Sequence, residues 1–556
     1  MPIGYVLASL AYRMDGSISI PGRIAAGLLA AMAFFWPMGL FDPDELSVVI
    51  SSSTGELFSY AAGAASAAFG MGLIILILFL IFRNKIQNNL IPGLLGGGLF
   101  ALAWGGLLIL SFLGGIPGFH GEKSFVILKN QADLSTVNQI KDPVERRTAV
   151  YNNLVKHAED SQQDLRTWLD EQGVEYTPYY LVNAVELDAD PLLMYRLEHR
   201  GDVDRVLDSP ILRPLRNEIP SSQGSVDGPE LDPWNIDLIG ADRVQSELNV
   251  RGAGIVIGQS DSGVQGDHPE IINQYRGKFD GMDDYNWFDP WFGSIKPVDI
   301  GGHGTHTLGS IVGKNTGVAP EAEWIACVNL ARNLGNPAYY LDCMQFMLAP
   351  FPQDGNPFQD GKPEKGANVL NNSWGCPAVE GCDPETFIPA VRALKAAGIF
   401  VVASAGNTGM GGCSSVQDPL ALYEDVYTVG AVDVNRNLAG FSSVGPVTVD
   451  GSNRTKPDIG APGVNVVSSY PGSSYEMASG TSMAGPHVVG VVALMWSANP
   501  NLVGDIETTT RILNETADTY SGVFPGCALD GERPNNAVGY GIVNAYEAVQ
   551  KALEVK

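Results

Sequence analysis

Residues 254–263 read GIVIGQSDSG, a short β-branched run between two glycines that is followed almost at once by a carboxylate, Asp261. A run this short and this apolar predicts a buried strand rather than a helix. From residue 234 onward, similar runs such as IFVV at 399–402 alternate with helical segments. That alternation is the pattern of an α/β domain on a mostly parallel sheet. Open sheets of this kind build their sites outside the carboxyl ends of the strands, which is where Asp261 falls.

Two further turns carry chemistry. GGHGTH at 301–306 opens an apolar helix and puts His303 at its start. GTSMAGPH at 480–487 leads into the apolar segment 488–496, whose N-terminal N–H groups favour negative charge beside Ser482. A serine hydroxyl is a poor nucleophile at neutral pH, so it needs a base within reach and a third group that fixes the base's tautomer. Asp261, His303 and Ser482 are of the right types for those three parts. A tetrahedral oxyanion also needs donors. SAGN at 404–407 follows the strand at 399–402 and offers the Asn407 amide, and the backbone N–H of Ser482 is a second donor. A Gly-x-Ser-x-Gly elbow is excluded, because Ala484 holds the place of its last glycine.

In the order Asp, His, Ser, the motifs DSG, HGTH, SAGN and GTSMAGPH resemble those of the subtilase family of serine endopeptidases, over about residues 234–550. The resemblance implies a subtilisin-like parallel-sheet catalytic domain at 234–556. It also implies an Asp261–His303–Ser482 triad working through an acyl-enzyme, with Asn407 completing the oxyanion hole. NNSWG at 371–375 resembles the strand that pairs with extended polypeptide substrates, making Ser373, Trp374 and Gly375 substrate-binding residues. Trp374 has a second reading as a core aromatic. His306 and His487 read as hydrogen-bonded structural histidines and His268 as a turn residue. NNSWGC and the long insertion between Asp261 and His303 are most similar to the bacillopeptidase F branch. The chemistry implied requires no cofactor. Residues 313–317 (GKNTG) run straight into Val318, leaving no room for the calcium loop of many subtilisins. A structural calcium elsewhere stays unassigned, and no metal ligand set with recognisable spacing is present.

Upstream, residues 124–208 read as strand (124–128), helix (145–172), a Tyr/Val-rich stretch (176–186), helix (191–200) and strand (203–207). With the Tyr/Val stretch taken as a bent pair of strands, the order is βαββαβ, which points to a ferredoxin-like α+β sandwich. Residues 121–208 then resemble the inhibitory propeptide of the same family, with VNAV at 182–185 matching its central strand. The Pro/Ser/Gly-rich stretch 209–233 reads as a linker carrying the processing site of a zymogen. The chain's own propeptide domain is thus an expected partner of the catalytic domain.

The first 120 residues are of another kind. Three uncharged runs, 24–41, 57–82 and 86–119 (trimmed by prolines to about 93–116), are each long enough for a transmembrane helix. Arg13, Arg23, Arg83 and Lys85 flank the N-terminal side and the second loop, whereas Asp42, Asp44, Glu45 and Glu56 occupy the first. That bias predicts a multi-pass segment in the lipid bilayer of the cell membrane, with a cytoplasmic N-terminus and the catalytic domain outside. Cutting the linker would release the mature protease. The whole chain of 556 residues carries 34 Lys+Arg against 61 Asp+Glu, a net charge of −27 that repels phosphate backbones and excludes a nucleic-acid partner.

All six cysteines (327, 343, 376, 382, 413, 527) lie in the catalytic region, and on an outward face an even number points to disulfides. Fifteen pairings are open. Proximity favours Cys376–Cys382 and Cys327–Cys343, and elimination leaves Cys413–Cys527. The missing CxxC spacing argues against zinc. A catalytically inactive peptide-binding membrane protein of the same fold would have lost a triad or oxyanion residue, and none is lost. An intramembrane protease would need polar catalytic groups inside the apolar runs, which contain no His, Asp or Glu.

Overall fold

The computed structural model describes residues 123–188, 191–210, 233–331, 334–529 and 531–556. The three apolar runs of residues 1–120 and nearly all of the linker lie outside the described residues. Among those described, no helix is long and apolar enough to cross a membrane.

Asp142 starts the first long helix by accepting from the N–H groups of Val144 (2.9 Å) and Glu145 (2.8 Å). Pro143 fills the first helical position, and Gly173 at φ +70° ends the helix in a conformation that suits glycine. This helix, α1 (Pro143–Gln172), lies between β1 (Lys123–Leu128) and β2 (Tyr176–Tyr179), followed by β3 (Ala184–Asp188), α2 (Pro191–Glu198) and β4 (Val203–Ser209). The sheet order is β2-β3-β1-β4, so the βαββαβ reading of the sequence describes the chain. α1 buries Val150, Tyr151, Leu154, Ala158, Leu165 and Leu169, spaced to form one stripe. One detail differs: the strand expected across 182–185 begins only at Ala184. Asn183 is held in the preceding turn by its side-chain bonds to Asn130 O (2.6 Å) and Ser161 Oγ (2.8 Å).

From residue 233 onward the main elements run β5 (Val256–Asp261), β6 (Trp287–Phe288), α3 (His303–Val312), β7 (Glu323–Val328), α4 (Pro337–Leu348), β8 (Val369–Asn372), α5 (Ile388–Ala396), β9 (Phe400–Ser404), β10 (Tyr427–Val432), β11 (Ile459–Pro462), β12 (Val466–Tyr470), β13 (Ser474–Ala478) and α6 (Thr481–Ala498). Seven of these strands form one sheet in the order β11-β10-β9-β8-β5-β7-β6, with every neighbouring pair parallel. β12 and β13 form an antiparallel hairpin. Side chains alternate between two cores, as the pleat requires. Leu370 and Val401 join Leu341, Met344 and Leu394 of α4 and α5, whereas Val369 and Val402 join Leu308, Val488 and Val492 of α3 and α6.

By contacts, residues 124–187, 196–209 and 218–556 form one compact unit. The other unit contributes to the described residues only Lys123, Asp188, residues 191–195 and Pro210. Inside the larger unit, the turn after β2 meets α4, where Gln345 Oε1 accepts from the N–H groups of Tyr180 (2.8 Å) and Leu181 (3.3 Å). Tyr151 donates its hydroxyl to Pro357 O (2.8 Å), and Arg205 pairs with Asp383 (2.7 Å). The Tyr180 ring meets Tyr151 and Phe358 edge-to-face, at 5.5 and 5.2 Å.

Disulfides join Cys327 to Cys343, Cys376 to Cys382 and Cys413 to Cys527, the pairings that chain proximity and elimination favour.

His306 and His487 are buried structural groups. His306 Nε2 donates to Val466 O (3.2 Å) and Glu476 O (3.0 Å), while His487 Nδ1 donates to Met483 O (2.8 Å) and its Nε2 accepts from Asn235 (2.8 Å). Burial pushes both down to about 4. Between that value and the ordinary histidine range near 6.5, the unfolded chain takes up a proton that the folded chain refuses. Stability should therefore fall as pH drops from about 6.5 to about 4, by up to ~1.4 kcal/mol per pH unit for each histidine. Denaturant unfolding across that range measures the slope. His487→Gln should reduce the slope by one proton's worth, and an unchanged slope would rule out this source of acid lability.

Candidate active site

Parallel register brings the carboxyl ends of β5, β8 and β9 to one edge of the sheet. The segments at those ends are Asp261–Gly263, Ser373–Gly375 and Ala405–Asn407. The amino ends of α3 and α6 come to the same place. One cleft is lined by His303, Ser373, Trp374, Gly375, Asn407 and Ser482 together.

Asp261 is fully buried, and its Oδ1 lies 2.7 Å from His303 Nδ1 while also accepting from Ser262 N (2.7 Å). The other oxygen, Oδ2, is buried without a partner, so the carboxylate's strongest contact is the imidazole. Burial pulls the His303 pKa down, but the Asp261 charge and hydrogen bond, with Asp299 behind them, outweigh it and hold the ring above its ordinary value.

The start of α3 is set by a residue that no motif marks. Asp299 Oδ1 accepts from Gly301 N (3.0 Å), Gly302 N (2.7 Å) and Ser262 Oγ (2.9 Å), and Oδ2 accepts from Thr305 N (2.8 Å) and Thr305 Oγ1 (2.6 Å). One carboxylate thus ties the loop after Asp261 to the helix bearing His303. Gly304 allows the close approach, because a Cβ there would lie 2.1 Å from Gly263 O.

Ser482 sits in the first turn of α6. Pro486, four residues on, has no N–H, so the Ser482 carbonyl loses its helical donor. The Ser373 hydroxyl replaces it, donating to Ser482 O at 3.0 Å. In return Ser482 Oγ donates to Ser373 O at 3.1 Å, and no hydrogen bond joins it to His303. Asn407 Oδ1 accepts from Thr481 N (2.9 Å) and Oγ1 (3.1 Å), which leaves Nδ2 without a protein acceptor. Ser482 N, in the first helical turn, has no acceptor either. Two donors are thereby unspent beside one hydroxyl.

The residues expected to bind substrate divide by atom. Ser373 commits its side chain to α6. The Trp374 ring is 6% exposed and stacks on Tyr340 at 3.9 Å, so the core-aromatic reading describes the ring. Their backbone and that of Gly375 line the cleft. His268 is a buried turn residue whose Nε2 donates to Ser474 O (3.0 Å). Among the described residues, no group of three His, Cys, Asp or Glu side chains is placed to hold a metal ion. Sequence reading missed Asp299 and Glu380; the loop near Ser415–Asp418 reads from sequence as part of the pocket floor, with its side-chain directions open, and Asp418 does line the far end of the cleft with Glu380. Burial pushes Glu380 up to about 8, against hydrogen bonds from Tyr340 and Gly335. Burial alone raises Asp418.

The subtilase family model matches residues 252–541. Bacillopeptidase F of Bacillus subtilis (strain 168) is 35% identical over 458 residues, 78% of this chain and 31% of that protein, so the chain spans about a third of that relative's length. Subtilisin DY of Bacillus licheniformis is 34% identical over 296 residues, 52% of this chain and 92% of its own. Subtilisin Savinase of Lederbergia lenta is 32% identical over 324 residues, 57% of this chain and 98% of its own.

Asp299→Asn should lower kcat by roughly 10²-fold through misplacement of His303. Because the Asp299 charge helps raise the His303 pKa, its loss should also move the acid limb of the pH–rate profile to lower pH. A profile that falls in height but keeps its midpoint would leave Asp299 as a fold-supporting residue only.

Proposed function

Because the chain belongs to the subtilase family, we propose that it is a serine endopeptidase in which Ser482 attacks the substrate carbonyl, His303 takes and returns the proton, and Asp261 holds the imidazole. The observation that carries this reading is the convergence of a buried Asp261–His303 pair, Ser482 and two unspent donors in one cleft. For attack, Ser482 Oγ turns from Ser373 O toward His303 Nε2, and the proton passes to the imidazole as the carbon–oxygen bond forms. Asn407 Nδ2 and Ser482 N meet the oxyanion that develops. His303 then gives its proton to the leaving amine. An acyl-enzyme remains, which water hydrolyses by the same relay, and no cofactor takes part in these steps. The backbone at 373–375 is the proposed edge for an extended polypeptide substrate.

The same reading makes residues 121–208 an inhibitory propeptide and residues 1–120 a bilayer anchor, with the protease on the outer face. Support for the propeptide comes from its docking on α4 through Gln345 and on the neighbouring loops through Tyr151 and Tyr180. Support for the anchor comes from the three apolar runs and their flanking charges. Cleavage between Ser209 and Asp232 would cut the covalent path to the anchor, so activation and release would be one event.

Full-length chain carrying Ser482→Ala should lose nearly all peptide hydrolysis and stay uncut in membranes, while the active chain yields a soluble fragment beginning in or after the linker. Identical processing of both would assign the cut to another protease. A mature active form that keeps residues 124–208 would make that domain a permanent spacer. Asn407→Ala should cost about 10²–10³-fold in kcat with little change in KM, and a pure KM effect would reassign it to ground-state binding.

A further inference from the structure

We propose that the far end of the catalytic cleft is built for the cationic side chain of lysine or arginine on the acyl side of the scissile bond, with Asp418 selecting it and the buried Glu380 closing the wall behind. This deepens the endopeptidase reading and rests on it. The scissile carbonyl must lie between Ser482 Oγ and the Asn407 amide. The side chain of the same residue branches one bond from that carbonyl and so enters the adjoining part of the cleft. That part is lined by Trp374, Gly375, Glu380, Ser404, Ala405, Asp418 and Ala421.

Asp418 is half-buried, and among the described residues its carboxylate accepts no hydrogen bond and pairs with no cation. No lysine or arginine lines the cleft. Opposite it stands Gly375, where a Cβ would lie 3.1 Å from the Asp418 Cβ, so glycine keeps the approach to the carboxylate open. Glu380, 3% exposed, is held in place by the Tyr340 hydroxyl at 2.6 Å. Ser404, 7% exposed, has a hydroxyl in the same wall with no partner, which gives an independent sign that the space expects a polar occupant. A half-buried carboxylate without a donor is costly, and a cation supplied by substrate would offset the cost. Ala405 and Ala421 offer apolar surface to the methylene stem of lysine or arginine, with the charged head reaching Asp418.

The test uses the soluble fragment that the active full-length chain yields after linker cleavage and three synthetic peptides with the sequence of residues 210–223, PILRPLRNEIPSSQ, carrying Arg, Leu or Glu at the position of Arg216. Arg213 in that sequence precedes a proline, which leaves the following arginine as the acceptable cation. The Arg peptide should be cut after that residue with kcat/KM roughly 10²-fold above the Leu peptide, and the Glu peptide least. Asp418→Asn should lower the Arg-to-Leu ratio by about 10-fold or more. Both rates are read on one preparation, so partial misfolding of a variant leaves the ratio intact. Equal cutting of the Arg and Leu peptides, or an unchanged ratio in Asp418→Asn, overturns the proposal while the protease reading stands. No cutting of any peptide beyond the Ser482→Ala background overturns both.

Discussion

Five hydrogen bonds converge on the carboxylate of Asp299, from two glycine amides, one serine hydroxyl and both donors of Thr305. Without them the loop after β5 and the start of α3 would be two separate chain ends that happen to be near each other. With them, Asp261 and His303 share one frame. The 2.7 Å contact between them is therefore a property of the fold rather than of two free side chains. A carboxylate before a helix also satisfies N–H groups that would otherwise be orphaned there, so the same bonds that place His303 complete the helix.

Ser482 depends on a second exchange. A proline in the interior of a buried helix removes one donor, and the vacancy falls on the carbonyl of Ser482 itself. Ser373, from a neighbouring strand end, fills it and accepts the Ser482 hydroxyl in the same arrangement. This reciprocal pair fixes the distance between α6 and the segment after β8, which form two walls of the cleft. It also holds the Ser482 hydroxyl on Ser373 O rather than on His303.

The first module meets the domain of the seven-stranded sheet through groups that are individually ordinary and collectively specific. Gln345 Oε1, buried on α4, receives two backbone N–H groups from the turn after β2, and aromatic edges from both partners interleave around Tyr180. Buried N–H groups are costly to leave unpaired, so the turn has a strong preference for this register.

The sequence by itself determined the α/β class and the βαββαβ order of the first module, and it singled out Asp261, His303, Asn407 and Ser482, which the fold brings together. Each of these is a local matter: a short apolar run followed by a turn, a glycine pair before a helix, a small-residue helix start. Chain proximity was enough for Cys376–Cys382 as well. Only the tertiary structure decided what needs partners distant in sequence. Asp299 sits in an insertion with no periodic signal. The Ser373 hydroxyl turned out to serve a carbonyl 109 residues away rather than a substrate. The Trp374 side chain went to the core while its backbone went to the cleft. Asp418 and Glu380 came to the same wall because β8 and β9 run parallel and end at one edge. A sequence specifies which groups are chemically able to act, but burial, and with it the strength of every charge and hydrogen bond, exists only once the chain has folded around them.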